Sequence, residues 1–508
     1  MPWRLPESRE ARRTSIALVA LLAMGALLRL LMMLAWQPAF MGWPDAASYI
    51  AVSQNELFGN ELRPAGYPIV LWVLHEIWPS LTLVVIVHHL LGLATAAILF
   101  FTVARTGAPR ALGLIPAGVV ALGGDGIFLE HAPISEPLFI FLMAAAMYAT
   151  VRAVGDGGAR WALLGGLLLA LAGTVRVVAL PLLPVYPLVL LAARGVTWRR
   201  RAAVAGACVA GIVLVLGPYL AIEHATTGKV GLSRNGVWNM YGRVAPFADC
   251  SKFTAPPGTQ PLCEAVPRAS RPLTAQYTFN WWYSPAIRNY GDPHSATPAQ
   301  TAVVASFVWA VIWGQPLDYA EEVGAGLLRY IAPDSFRGYG GGPSYHDLVR
   351  EPVLFHAAFS AHGRSAAAEH YGDDRPFSSR EGLLEALRAE ESVTRIQGPV
   401  FVLLALLSLA APFVTRGPMR RSAVLFALTA WFLLVLPVAT VEFSARTAVP
   451  GFAPLAAAAA LGGFGLSRKV RSRLAQRSGA GAGRVPGSRL GSRTAVSPRW
   501  MRRSRPEG

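Results

Sequence analysis

Asp45, Arg63, Glu130, His131, Glu136, Arg176, Glu442 and Arg446 are the residues of this chain whose types could do chemistry together. Carboxylates suit proton transfer or a divalent cation, and arginines suit a phosphate, whose oxygens a guanidinium matches in pairs. These residues are scattered in sequence, so the elements between them must bring them to one place. Asp45 stands in WPDAASYI, a few residues after an apolar run, 14–36. At roughly 1.5 Å per residue that run crosses a bilayer. Arg4, Arg9, Arg12 and Arg13 precede it, so the positive-inside rule holds the N-terminus in the cytoplasm and delivers Asp45 to the outer surface. The run lacks a small-residue cleavage site and exceeds a signal-peptide core, and reads as a retained anchor.

The rest of the composition agrees with a membrane setting. Of 508 residues, 53% are hydrophobic and 15% charged, with a mean hydropathy of +0.41. Soluble chains carry about 25% charged residues. The net charge of +17 is spread over the N-terminus, Arg194–Arg201, Arg416–Arg421 and the tail after Ser467. Those are the positions that cytoplasmic loops load and that anionic headgroups attract, and no nucleic-acid motif accompanies them.

An all-α polytopic membrane protein with about ten spans, interfacial helices and a large external loop follows. After the first span, the external segment 37–80 holds Asp45, Arg63 and Pro64, and 66–76 fits a helix lying in the interface, with Trp72 and Trp78 as anchors. Spans at 81–103, 111–128 and 137–151 follow, and the outer turn LEHAPISEP carries Glu130, His131 and Glu136. A fifth span raises Arg176 about fifteen residues, roughly 22 Å, above Trp161. Pro181, Pro184 and Pro187 interrupt the sixth, and 202–222 is the seventh. The last three are 399–414, 422–439 and 448–466, with VEFSARTA outside between the final two. The chain thus divides into an N-terminal transmembrane core (1–222), an external region (223–397) with membrane-lying helices within 301–331, C-terminal spans (398–466), and a disordered basic cytoplasmic tail (467–508). Both termini lie in the cytoplasm and the ionisable groups meet at the outer rim of the plasma membrane. Ionisable groups within spans cost on the order of 2.5–3.5 kcal/mol on insertion scales, so several meeting at one rim imply a polar site.

Plainer roles compete for each residue. Asp45 could cap a helix beginning at Ala46. Tyr49, one turn on, fits an interfacial aromatic. Arg63 could snorkel to headgroups, Glu136 could favour a helix start before Pro137, and Glu442 could pair with Arg446 four residues on. Cys250 and Cys263, thirteen apart in an external polar stretch, form a disulfide if that side is oxidising; Cys208 reads as a packed small hydrophobe. His88 and His89 lie in the second span, where packing or a hydrogen bond suits them better than a metal. GYGGGP (338–343) reads as a flexible turn or lid.

The element PDAASY after the first span, followed by RPAGYP, then ISEPLF, LAGTVRVVALP and EFSARTAVPGFAPL, resembles the membrane glycosyltransferases of the GT-C class. The nearest group is the protein O-mannosyltransferases and aminoarabinose transferases, which use polyprenyl-phosphate sugars. The resemblance implies that Asp45 is the catalytic carboxylate and Glu136 the second acidic position. It implies that Arg63 contacts the lipid-linked phosphate and that Arg446 is the arginine near the last helix; from their place at the rim, Arg446 and Arg176 are expected at the same phosphate, with Tyr49, His131 and Glu442 in secondary roles. Ala46 stands where many relatives have a second acidic residue, which weakens the case for a divalent metal, and Ala65 replaces a proline. The expectation is a glycosyltransferase, mannosyltransferase-like, passing a sugar from a polyprenyl-phosphate donor to a hydroxyl acceptor on protein, lipid or glycan, with membrane lipids as further partners. A transporter or flippase of a lipid-linked sugar is the alternative; it needs charges deep in the spans. A non-catalytic membrane assembly protein is the third reading.

Overall fold

The computed structural model describes residues 9–481 apart from 61, 157, 193–196, 229, 234, 272–283, 292, 294, 332–364 and 372–377. The GYGGGP turn therefore lies outside the described residues. Among the described residues the architecture is all-α but for one pair of two-residue strands. Among the described residues six helices are long and apolar enough to cross a membrane, or up to eight if each of two bent pairs counts as one span. Ten was the expectation. The fifth and sixth expected spans are the shorter apolar helices Ala159–Val175 and Val177–Leu191, the latter opened by a 3-10 stretch containing Pro181. A proline there removes a donor and clashes with the preceding turn.

The first helix, α1 (Arg9–Ala35), leads into β1 (Trp36–Gln37), which pairs antiparallel with β2 (Ser378–Ser379). Next come α2 (Pro44–Gln54) and α3 (Gly66–Ile77), then α4 (Leu81–Ala104). In α3, Tyr67, Pro68 and Leu71 are buried while Trp72, Val73 and Ile77 are exposed. The third span is broken: α5 (Leu114–Leu122) and α6 (Gly124–Glu130) meet at 52° at Gly123. Helices α7 (Glu136–Asp156) and α8 (Ala159–Val175) follow, then α9 (Val185–Leu191) and α10 (Trp198–Thr227). Cys208 of α10 is buried against α8, where a β-carbon at Gly166 would collide with its carbonyl.

The region expected to be external contains α11 (Asn235–Val244), α12 (Pro285–Tyr290), α13 (Pro298–Gly314) and α14 (Pro316–Leu328). Trp238, Tyr241, Phe247, Leu262, Phe307 and Val311 give it a hydrophobic cluster of its own. Cys250 and Cys263 are joined, with a Cα–Cα distance of 5.9 Å. Trp309, Trp313 and Leu317 are exposed along α13 and the start of α14. One boundary differs from expectation. Helix α15 (Glu381–Thr394), placed by its charge in the external stretch, forms a bent pair (43°) with α16 (Gly398–Val414) and packs on α1 and α6. Its Leu384 and Leu387 are buried, and Glu391 is buried with them, paired with Arg395, while most of its other charges lie on the exposed side of an amphipathic helix. Helices α17 (Gly417–Thr440) and α18 (Ala445–Gly481) complete the chain. The chain divides into units 1–465 and 466–508, and α18 runs to Gly481, past the expected start of the tail at 467.

Candidate active site

Asp45 lies in the first turn of α2, whose N-cap is Trp43 and whose Pro44 is pre-set for a helix start. It is not the cap. Its carboxylate goes instead to Arg63 (Nη2 to Oδ1) and to Arg446, whose Nη1 lies 2.5 Å from Oδ2. Arg446, in the first turn of α18, also donates from Nε to Glu136 Oε1. Glu136 opens α7, where the helix N-terminus favours an anion. Arg176, at the C-terminal end of α8, completes the group with Nη1 2.5 Å from the same Glu136 oxygen. Three guanidiniums thus meet two carboxylates, and one positive charge is left over.

Local contacts explain why α2 and α3 deliver their residues here. The Asn60 side chain accepts from the Arg63 backbone N–H at 2.8 Å, and the Tyr219 hydroxyl of α10 accepts from the Ala65 N–H at 2.8 Å. Gly66 lets α3 start against α8: a β-carbon there would lie 2.5 Å from the Thr174 carbonyl oxygen, two residues before Arg176. Arg63 stacks over the Tyr49 ring at 5.2 Å, and Arg446 over Trp43 at 5.1 Å. Tyr49 is buried rather than interfacial, with its hydroxyl 3.0 Å from Ser135 Oγ and its ring edge-on to Tyr67. Arg176 donates to the same Ser135 hydroxyl at 3.1 Å.

Two valences in this group remain open. Glu136 Oε2 and Arg63 Nε are buried and have no hydrogen-bond partner among the described residues. The first is an acceptor, fit for a hydroxyl, and the second a donor, fit for an anion. Burial opposes ionisation of Asp45, but Arg446 and then Arg63 overcome it and hold its carboxyl well below the usual carboxylate range. The side chain of Glu136 is fully enclosed at 0% exposure, whereas Asp45 and Arg63 keep 21% and 22%. Arg176 keeps 19%, so the open side of the site is that of Asp45, Arg63 and Arg176.

Glu130 is not part of this rim. It ends α6 inside the protein, where Arg29 of α1 grips both its oxygens at 2.7 Å. His89 of α4 meets Glu130 Oε2 at 2.9 Å, and His89 Nε2 lies 3.3 Å from His131 Nδ1. His131 in turn donates from Nε2 to the Trp36 carbonyl at 3.0 Å. Arg29 was visible in the sequence as a lone charge within the first apolar run. Such charges are deep in the spans, as the transport reading requires, yet these are spent on one another and on the carbonyls of Gly25 and Ala121. Ser135 and Trp43 carried no signal in the sequence. Glu442 lies in the turn just before α18, and the Arg446 nitrogens named above go to Asp45 and Glu136 rather than to it.

The residues present do not fit a divalent cation. Among the described residues no group of three or more His, Cys, Asp and Glu could hold one, and the carboxylates of the rim are held by guanidiniums. A mostly apolar cavity lies on the Glu130 side, with Glu130 and Asp125 in its wall and none of the five rim residues. Its wall includes Pro137, next to Glu136, and Val449, one turn past Arg446, with Leu129, Ile140, Phe452 and Ala453.

No protein-family model matches the chain, and no characterised protein matches it by sequence. Among solved structures, the Archaeoglobus fulgidus oligosaccharyltransferase in the apo form is similar with a TM-score of 0.45 at 11% identity, over 92% of this chain and 52% of that one. The archaeal oligosaccharyltransferase AglB from Archaeoglobus fulgidus, in complex with an inhibitory peptide and a dolichol-phosphate, gives 0.43 at 12% identity, over 94% and 52%. This chain spans about half the length of those proteins.

Proposed function

We propose that this chain is a GT-C-type glycosyltransferase that moves a sugar from a polyprenyl-phosphate donor to a hydroxyl acceptor at the outer face of the plasma membrane. The observation that carries this reading is Arg446, which bridges Asp45 and Glu136 within a rim that has one positive charge in excess. That excess matches a phosphate bearing a single charge, as in a monophosphate joined to both sugar and lipid.

In the resting site Asp45 is a weak base, because its carboxylate is neutralised twice over. A donor phosphate competes for Arg63 and Arg446. As those guanidiniums turn to it, Asp45 loses its counter-charges and becomes more basic at the moment a base is needed. The acceptor hydroxyl gives its proton to Asp45 while its oxygen attacks the anomeric carbon. The bond from that carbon to the phosphate oxygen breaks, polyprenyl phosphate leaves, and the anomeric centre inverts. Arg63 and Arg446 stabilise the charge that gathers on the leaving phosphate. Arg176 and Arg446 hold the enclosed Glu136, which in turn fixes Arg446 beside Asp45. The disulfide-bearing region 235–331 contributes acceptor recognition. Purified protein in detergent, given polyprenyl-phosphate sugars and hydroxyl acceptors, should release polyprenyl phosphate in step with sugar transfer. Release from no such donor across common sugars would refute the reading.

A further inference from the structure

The contacts around His89 and His131 fix how many protons the two rings carry. The Trp36 carbonyl can only accept, so His131 Nε2, 3.0 Å away, must bear a hydrogen. Glu130 is gripped on both oxygens by Arg29 and is therefore an ionised acceptor, so His89 Nδ1, 2.9 Å away, must bear one too. The remaining contact, His89 Nε2 to His131 Nδ1 at 3.3 Å, is a hydrogen bond only if a third hydrogen sits between them. Two neutral imidazoles supply two N–H groups, and this arrangement needs three. We infer that His89 and His131 share one extra proton, and that the protonated pair is a positioning element which holds the Asp45-bearing segment on the Glu136-bearing turn.

The surroundings suit that role. His131 meets the segment ahead of Asp45 twice, by its ring at Trp36 and by its carbonyl, which accepts from the Phe40 N–H at 2.8 Å. Five residues further on, Glu136 enters the rim. The charged groups facing the pair are Glu130 of α6 and Arg29 of α1, with Glu390 of α15 adding its carboxylate to the field around Arg29. Next to it on α15, Glu391 is paired with Arg395. His88, beside His89 on α4, is neutral by the same counting: its Nδ1 donates to the Ala132 carbonyl at 3.0 Å, and its Nε2 accepts from the Tyr67 hydroxyl at 3.3 Å. Gly92, one turn from His89, leaves room for Glu130, with whose carboxylate a β-carbon would collide.

Loss of the shared proton leaves two lone pairs facing each other. The ionised Glu130 holds His89, so His131 is the ring that turns, and it releases Trp36. In His131→Gln the carboxamide can present either its oxygen or an N–H to His89 while still donating to Trp36, so the latch no longer depends on the proton. The consequence for catalysis rests on the glycosyltransferase reading, but the test does not use activity. Nitrogen-15 spectra of protein labelled in its histidine rings, assigned with His89→Gln and His131→Gln, should show three ring N–H groups across the pair at neutral pH. Two would overturn the inference. Exchange protection of the Phe40 amide, corrected for intrinsic rates, should fall at least tenfold in wild type as the pair loses its proton, and should hold in His131→Gln. Protection that ignores pH in wild type, or falls equally in the variant, would also overturn it. If a variant does not fold, the wild-type titration alone decides, through whether a buried histidine stays doubly protonated above neutral pH.

Discussion

Arg446 sets the state of the site, because it is shared between the enclosed Glu136 and the more open Asp45. Arg63 serves Asp45 alone among the carboxylates, from the exposed side. Arg63→Ala should therefore leave the fold intact, since Arg446 still compensates Asp45, while weakening donor binding and slowing transfer; titration of a fluorescent polyprenyl phosphate, with thermal unfolding in the same detergent, checks both. The pH dependence follows from the depressed carboxyl of Asp45. A group whose folded value is lowered contributes stability above its unfolded value of about 3.9, and that contribution is lost only as pH falls through the lower folded value. Between about pH 4 and 7 the free enzyme thus keeps Asp45 ionised, and kcat/KM should show no acid limb from it. In the donor complex the arginines have turned away, so the acid limb of kcat should lie at higher pH; coincident limbs would argue against the exchange of partners. These residues were legible in the sequence because charge beside an apolar run needs a reason. Ser135 was not, since a serine in a turn has many.

At the scale of elements, the break at Gly123 between α5 and α6 matters most. It brings Glu130 to Arg29 and His89, a partnership the sequence could not display because a straight third span would place Glu130 at the outer turn. Helix α15 escaped for a related reason: its charges suggested an external stretch, whereas Leu384 and Leu387 seat it on the bundle. The buried Arg29–Glu130 pair gives a prediction here. Arg29→Met should destabilise by about 3–5 kcal/mol, because it leaves Glu130 charged without its main partner, whereas Arg29→Met with Glu130→Met should recover much of the loss. Unfolding midpoints in detergent for the two singles and the double report the coupling.

At the scale of the whole molecule, the apolar runs made the all-α membrane architecture readable, and the arginine clusters made its orientation an expectation. The number of spans was harder to read, because short and proline-broken helices have the composition of spans without their length. Orientation is open to direct measurement. Single cysteines placed beside Asp45, Glu136 and Arg446 should react with an impermeant thiol reagent from outside intact cells, while one in the segment after Ser467 should react only after permeabilisation. The central claim is that Asp45 takes the acceptor's proton. Asp45→Asn keeps the shape of the side chain and removes the proton acceptor, so transfer measured beside donor binding in one preparation is the most direct test. Turnover should fall by on the order of 10² to 10⁴ with donor binding retained; a folded Asp45→Asn protein that transfers sugar at the wild-type rate would contradict it.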